Sequence, residues 1–205
     1  GAKHSLMNVF FALLNRGDEV LLPSPYWVTY PELIKLAEGK VVVVPTTRDM
    51  NYKINPDLLK KYTTSKTKAL VLNSPSNPTG MIYTYEELKS IVEFCVEKDI
   101  FIISDEIYDK LIYDGYKHIS VASFGEKAKE ISIIVNGVSK SYAMTGWRIG
   151  YTLSNKDIAK IMTNLQSHTT SNPNSIAQYA AYEALKGSQE SVYNMIKEFC
   201  SRRDL

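Results

Sequence analysis

The sequence predicts an α/β domain whose mainly parallel sheet is flanked by helices on both faces, in three layers. Short, β-branched and mostly continuous apolar runs alternate with helical patterns along the chain, as expected for parallel strands buried on both faces. With 205 residues, of which 44% are hydrophobic, the chain is large and apolar enough to enclose a core between such layers.

Six segments have the pattern of strands. Five of them, rich in Val, Ile and Leu, lie at 19–23, 40–45, 68–73, 100–104 and 131–135, and a further candidate lies at 148–153. Helical periodicity predicts helices between and around them, at 3–14, 29–38, 56–64, 84–98 and 155–170. This alternation of strands and helices favours parallel pairing of successive strands.

The helix boundaries have local signals. Thr84 precedes a helical pattern and Glu87 follows three residues later, which is the spacing of a capping box. Residues 174–205 are nearly all helical in pattern, and we expect Gly187 and Ser188 to divide them. The chain begins at Gly1 and ends inside a helical pattern, so we expect a fragment of a longer protein.

Charge and cysteine content exclude some classes of partner. The net charge is +2, from 24 basic and 22 acidic residues scattered along the chain, which predicts neither a nucleic acid nor a membrane partner. No apolar run has the length of a membrane span. Cys95 and Cys200 lack metal spacing, and we interpret them as reduced, buried thiols of a cytoplasmic protein.

The most informative pair of residues is Lys140 and Arg148. Lys140 follows the strand-like run 131–135 and precedes Arg148 by eight residues. A lysine amine that is partly desolvated and unprotonated forms a Schiff base with an aldehyde, and an arginine offers a planar fork of donors to a phosphate. The pair therefore suggests a site for pyridoxal 5'-phosphate (PLP), although two solvated surface residues are the simpler interpretation.

Other strand ends carry polar residues that such a site could use, because ligands of parallel sheets bind beyond the carboxyl ends of the strands. Asn77 lies in a turn after the third strand and offers an amide. Asp105 directly follows the fourth strand, and its buried carboxylate could hold the proton on a pyridine nitrogen. Tyr108 could reach the phenolic oxygen of the same ring. A plain turn and a helix N-cap aspartate are the alternatives.

Two further segments are weaker candidates. Trp27 follows the first strand and could cover the face of a ring, although an aromatic residue in the core is the simpler interpretation. Gly1, Ala2 and Lys3 open a helix whose free amides could bind an anion. No Gly-x-Gly-x-x-Gly or P-loop motif indicates a nicotinamide or nucleotide triphosphate site, and the three histidines lack metal spacing.

Taken together, these residues resemble the large domain of the class I aminotransferases, which are fold type I PLP enzymes. The match covers essentially the whole chain. Its most specific segments are Asn77-Pro78-Thr79-Gly80, Ser104-Asp105-Glu106-Ile107-Tyr108, and Ser139-Lys140 followed by Thr145-Gly146-Trp147-Arg148-Ile149-Gly150. Residues 24–32 and 143–148 are most similar to the bacterial-type aspartate aminotransferase branch.

The resemblance implies a role for each candidate residue in cofactor binding. Lys140 would form the Schiff base and then carry the proton between the substrate α-carbon and the cofactor. Asp105 would pair with the ring nitrogen, Asn77 and Tyr108 with the ring oxygen O3', and Trp27 would stack on the ring.

The same resemblance assigns the cofactor phosphate to Arg148, to Ser139 and to the helix start at Gly1, Ala2 and Lys3. Many relatives carry a phosphate-binding serine three residues before the lysine. This chain has Gly137 there, which puts that contact in doubt.

For the substrates, the resemblance implies aspartate with 2-oxoglutarate, and prephenate as a further candidate. Lys3 would read the distal carboxylate, with Trp27 and Asn77 as further substrate contacts. Residues 1–205 would form an incomplete PLP-binding large domain of a homodimer. An N-terminal arm and a C-terminal small domain, which holds the arginine for the substrate α-carboxylate, would lie outside the chain, so the fragment alone is expected to be poorly active.

Other functions remain open at this point. Kynurenine and alanine aminotransferases, carbon–sulfur β-lyases and aminocyclopropane-carboxylate synthases share the cofactor residues. An aminotransferase-like sensor domain of a transcription regulator would also retain them.

Overall fold

The computed structural model describes residues 1–205 as an α/β fold built on one six-stranded sheet. The strands are β1 (Glu19–Ser24), β2 (Lys40–Pro45), β3 (Thr67–Asn73), β4 (Phe101–Asp105), β5 (Ser132–Gly137) and β6 (Gly150–Leu153). The helices are α1 (Ala2–Leu13), α2 (Thr29–Leu36), α3 (Pro56–Tyr62), α4 (Tyr85–Lys98), α5 (Glu126–Ile131), α6 (Lys156–Thr169), α7 (Ser175–Lys186) and α8 (Glu190–Arg203).

The strand order is β2-β1-β3-β4-β5-β6, and only β6 runs antiparallel to its neighbour. The prediction of a mainly parallel sheet flanked by helices is therefore confirmed. In this register Asn73 lies beside Asp105, and Asp105 lies beside Val135. The carboxyl ends of β3, β4 and β5 thus meet at one edge of the sheet, and the loops that follow them lie side by side.

Alternate strand residues divide the core between the two faces of the sheet, as the pleat of a strand requires. Val20 and Leu22 of β1 pack on the side of α1, α2 and α6. Leu21, between them, packs on the side of α3, α4 and α5. Strands that are apolar on both faces are thus covered by a helical layer on each side, which explains their continuous apolar runs.

Several boundaries differ from the sequence prediction. α5 was not predicted, because its six residues include four charged ones and show no apolar periodicity. β6 begins at Gly150, not at Arg148, which has a left-handed backbone conformation with φ of 57°. Cys95 is buried as predicted, but the prediction of a buried Cys200 is wrong, because α8 has little of the chain packed against it. None of the helices combines the length and apolar composition needed to cross a lipid bilayer.

Candidate active site

A cavity of about 260 Å³ lies at the carboxyl edge of the sheet. Its walls come from the start of α1, the start of α2 and the loops after β3, β4 and β5. The lining residues are Ala2, Lys3, Leu6, Trp27, Tyr30, Asn73, Asn77, Asp105, Ile107, Tyr108, Ser139, Lys140, Thr145 and Arg148. Nine of the ten residues that the sequence nominated for the cofactor line this cavity. The tenth, Gly1, adjoins Arg148.

Asp105 lies at the floor of the cavity, where β4 ends. It is 3% exposed, and its carboxylate accepts hydrogen bonds from the Tyr30 hydroxyl at 2.7 Å and from the Ile107 amide at 3.2 Å. Burial raises the pKa of Asp105 from 3.8 to about 6, although these two hydrogen bonds act in the opposite direction. A carboxylate in this position has a strong electrostatic preference for a cationic partner, such as a protonated ring nitrogen.

Tyr30 is a site residue that sequence reasoning missed. It is buried in α2, and burial, followed by the negative charge of Asp105, raises its pKa well above the usual value. The phenol therefore stays protonated and donates to Asp105. A signal was available, because Tyr30 lies only three residues after Trp27, in the first turn of α2, where its backbone amide donates to the Trp27 carbonyl at 3.2 Å. The two rings meet edge to face, with centroids 5.4 Å apart.

Asn77 and Tyr108 face each other from the loops after β3 and β4. The Asn77 amide nitrogen is 3.5 Å from the Tyr108 hydroxyl, at the long end of hydrogen-bonding distance. Burial, followed by the charge of Asp105, raises the pKa of Tyr108, so its hydroxyl remains a donor. Asn73 joins the two loops, because its side chain donates to the Asp105 backbone carbonyl at 2.9 Å and accepts from the backbone N–H of Asn77 at 2.7 Å.

Lys140 and Ser139 lie in the turn that follows β5. The Lys140 amine is 5.9 Å from the centre of the Tyr108 ring, on the cavity side. The side chain is exposed, so the partial desolvation expected of a Schiff-base lysine is not present in the described chain. Ser139 is buried and its hydroxyl contacts no hydrogen-bond partner, which leaves a donor free for a ligand.

Arg148 lines the cavity from the turn that precedes β6. Its left-handed φ is costly for a residue with a side chain and is enriched at functional sites. The guanidinium donates to the Thr145 carbonyl. The start of α1 packs tightly against the start of β6, just after this turn, because a Cβ on Gly150 would overlap the Ala2 nitrogen. A Cβ on Gly1 would lie 3.0 Å from Arg148 Nη2.

Trp27 and Lys3 form the wall between α2 and α1. The Lys3 amine lies 5.0 Å from the centre of the Trp27 ring, within the range of a cation–π contact. Lys3, Lys140 and Arg148 are three cations that line the cavity, and Asp105 is its only carboxylate. The cavity is thus suited to a ligand that combines an anionic end with a cationic ring edge.

The structure explains why a glycine stands three residues before Lys140. A Cβ on Gly137 would lie 2.7 Å from the Ile149 carbonyl oxygen and 2.9 Å from the Gly150 Cα, both of them backbone atoms. A serine at this position would therefore force β5 and β6 apart. The missing hydroxyl donor follows from the close pairing of these two strands.

The sheet and its cavity define an α/β domain with room for a small ligand at the carboxyl ends of its strands. The chain belongs to the aminotransferase class I and II family, whose family model matches residues 1–205.

Named relatives support this assignment. The chain is 55% identical over 202 residues to an aspartate aminotransferase of Bacillus sp. (strain YM-2), covering 98% of this chain and 52% of that protein. It is 50% identical over 206 residues to a probable aspartate/prephenate aminotransferase of Aquifex aeolicus, covering 100% and 52%. The structure of an aromatic aminotransferase from Pyrococcus horikoshii OT3 superposes with a TM-score of 0.96 at 42% identity, covering 100% of this chain and 55% of that one. The chain thus spans about half the length of the curated relatives it matches.

Proposed function

We propose that the protein carrying this chain is a PLP-dependent aminotransferase that moves an amino group between an L-amino acid and a 2-oxo acid. The observation that carries the proposal is the convergence of Lys140, Asp105 and Arg148 on one cavity from three separate segments. An amine can bond to an aldehyde, a buried carboxylate can pair with a protonated ring nitrogen, and a guanidinium can bind a phosphate.

The residues present fit PLP at each of its edges. Arg148, the unpartnered Ser139 hydroxyl and the amides at the start of α1 would hold the phosphate. Asp105, held by Tyr30, would keep the proton on the ring nitrogen. Asn77 and Tyr108 would donate to the ring oxygen O3', and Trp27 would cover one face of the ring.

When bound, PLP supplies an aldehyde that bonds to amines and a ring that withdraws electrons from the substrate α-carbon. The chain's own residues orient the reactants and move the proton. As a free amine, Lys140 would take the proton from the substrate α-carbon and return it to the aldehyde carbon of the cofactor. Asp105 would keep the proton on the ring nitrogen, and the buried side chains of Leu6, Tyr30 and Ile107 would exclude water from the wall of the cavity beside it. The two half-reactions follow each other in a ping-pong order.

For the substrate we propose aspartate, with 2-oxoglutarate as the acceptor. The Lys3 amine lies at the cavity rim beside Trp27, where it can meet a second carboxylate on the substrate side chain. The names of the Bacillus and Aquifex relatives support a dicarboxylic substrate. The similar structure from Pyrococcus horikoshii OT3 is that of an aromatic aminotransferase, so the fold alone does not select a dicarboxylic substrate.

Lys3→Gln tests this substrate assignment. We expect kcat/KM for aspartate to fall about tenfold or more, because an exposed charge-assisted contact of about 1.5 kcal/mol is lost. The value for alanine, which has no distal carboxylate, should change little. Steady-state kinetics with both substrates in the protein carrying this chain measure the difference.

Lys68→Gln is the matched control, because Lys68 also lies over an aromatic ring, 5.2 Å from the centre of Phe101, but does not line the cavity. An equal loss of kcat/KM for aspartate and alanine in Lys3→Gln would contradict a contact between Lys3 and the substrate side chain. It would support a contact between Lys3 and the cofactor phosphate instead.

We propose further that the protein is a homodimer that uses the outer face of α7. Ala177 and Ala181 bury the inner face of this helix. Ile176, Tyr179 and Tyr182, at helical spacing on the outer face, are 70%, 78% and 60% exposed. A continuous apolar stripe of this kind is typical of a surface that is buried in an assembly.

We expect Tyr179→Asp to weaken the dimer, since it places a charge in the centre of the apolar stripe. Sedimentation equilibrium of the protein carrying this chain measures the association. Leu36→Asp is the control, because Leu36 is a similarly exposed apolar residue at the end of α2. A monomeric wild type, or an unchanged dimer in Tyr179→Asp, would contradict the proposal.

A further inference from the structure

We infer that Glu106 and His118 are positioning residues that hold the segment 107–117 so that the Tyr108 hydroxyl faces the cofactor. The inference rests on the proposed function, because it assigns a purpose to a buried cluster that lies next to the cavity and does not line it. The cluster consists of Ser104, Glu106, His118 and Ser120.

Glu106 is the centre of this cluster. It directly follows Asp105 and is 4% exposed. One carboxylate oxygen accepts hydrogen bonds from the hydroxyls of Ser104 at 3.0 Å and Ser120 at 2.9 Å. The other lies 2.8 Å from His118 Nε2. Because its own amide also donates to the Val135 carbonyl at 2.9 Å, Glu106 is held on β5 as well as at the end of β4.

His118 depends on Glu106 for its orientation. Its Nδ1 atom is buried and has no hydrogen-bond partner, so the contact with Glu106 is the only polar one that the ring makes. An unpaired buried nitrogen costs free energy. A histidine that served only to fill space would be replaced by an apolar residue at no such cost, which favours a specific use of the Nε2 contact.

The contact between Glu106 and His118 closes the base of the loop that carries Tyr108. The two residues are twelve positions apart, and Tyr108 lies two positions after Glu106. With the base closed, the Tyr108 side chain has a defined direction, toward Asn77 and the cavity. A hydrogen bond to a ligand needs this precision, because it weakens steeply with distance and angle.

A second contact joins the same loop to the turn that carries Lys140. The Ser141 hydroxyl donates to the Asp109 carboxylate at 3.0 Å, and Ser141 is almost fully buried. Tyr108 is adjacent to Asp109 and Lys140 is adjacent to Ser141, so this hydrogen bond links the two segments that carry them. Since a buried polar cluster contributes little net stability compared with apolar packing, the position of this network beside the cofactor residues favours a role in orientation.

His118→Ala tests the inference in the protein loaded with PLP. Loss of the hydrogen bond from Tyr108 to the ring oxygen should raise, by about half a unit or more, the pH at which the absorbance of the lysine-linked cofactor changes. The dissociation constant of PLP should rise about threefold to tenfold. His118→Gln, which keeps an N–H donor for Glu106, should restore both values toward those of the wild type.

Two further measurements separate orientation from general stability. In a Tyr108→Phe background, His118→Ala should cause no additional shift of the absorbance titration, because the effect passes through Tyr108. Hydrogen exchange of cofactor-free protein should speed up across 107–117 in His118→Ala. It should not do so in Asp114→Asn, which removes an exposed partner of Arg203 at the tip of the same loop.

An unchanged titration and PLP affinity in His118→Ala would overturn the inference, even if the variant were less stable. An equal shift in the Tyr108→Phe background would also overturn it, because the effect would then bypass Tyr108. A wild-type protein with no lysine-linked absorbance band contradicts the proposed function itself, and this outcome is distinguishable from both of the others.

Discussion

Lys140→Ala is expected to abolish the absorbance band of lysine-linked PLP and to lower kcat by at least about 10³-fold. The amine is the group in the cavity that can bond to an aldehyde and then accept the substrate α-proton; Lys3, the other lysine there, lies over Trp27 at the rim. Absorbance spectra with added PLP, together with single-turnover measurements with aspartate, give the two readouts separately. PLP should still bind non-covalently, because Arg148, Ser139 and Asp105 remain.

Lys110→Ala is a close control for this variant. The Lys110 amine lies 5.9 Å from the Tyr142 ring centre, the same distance that separates Lys140 from the Tyr108 ring, but Lys110 does not line the cavity. We expect normal spectra and turnover from it. A lysine-linked band that persists in Lys140→Ala would show that another amine forms the bond and would refute the assignment.

Asp105→Asn is expected to have opposite effects on activity and on stability. Without the carboxylate, nothing in the cavity keeps the proton on a ring nitrogen, and kcat should fall about 10²- to 10³-fold. The amide has the shape of the acid and still accepts a hydrogen bond from Tyr30. Measuring kcat together with the PLP dissociation constant distinguishes loss of chemistry from loss of binding.

The stability effect follows from the raised pKa of Asp105, which lies near 6 in the folded protein against 3.8 for the ordinary group. Folding therefore favours the neutral acid. The stabilisation from this group is complete below about pH 4 and is lost as the pH rises through about 6, to the extent of about 3 kcal/mol. Asp105→Asn removes this dependence, so the cofactor-free variant should gain stability over the wild type between pH 4 and pH 8.

Urea unfolding of both proteins at several pH values measures this gain. Asp114→Asn should lower the free energy of unfolding relative to the wild type, which is the opposite sign. The reason is that the hydrogen-bonded Arg203 lowers the pKa of that exposed carboxylate. If Asp105→Asn were the less stable protein at pH 8, the negative charge of Asp105 would have to be stabilised by the fold, contrary to its burial.

Much of the fold was predictable because its signals are local. β-branched runs indicated five of the six strands within a residue or two, and the capping box at Thr84 and Glu87 is present in the structure. Where local signals are weak, prediction failed: α5 is short and highly charged, and the left-handed Arg148 delays the start of β6.

The candidate site was predictable only as a set of residues at strand ends. Residue type and position nominated Asp105, Lys140, Asn77 and Tyr108, since parallel strands bring their carboxyl ends together. Tyr30 escaped notice because its contact with Asp105 spans 75 positions. The role of His118 had no signal in the sequence, because its partner Glu106 lies twelve positions away and is buried by packing that no local pattern reveals.

The sequence by itself determined the α/β class, the order of the elements and which residue types follow each strand. These depend on apolar periodicity and on chain order, both of which are written along the sequence. Only the tertiary structure decided which of those residues share one cavity, that Tyr30 holds Asp105, and that Gly137 leaves no room for a side chain. Such contacts arise when helices and strands distant in sequence pack together, and their distances follow from that packing alone.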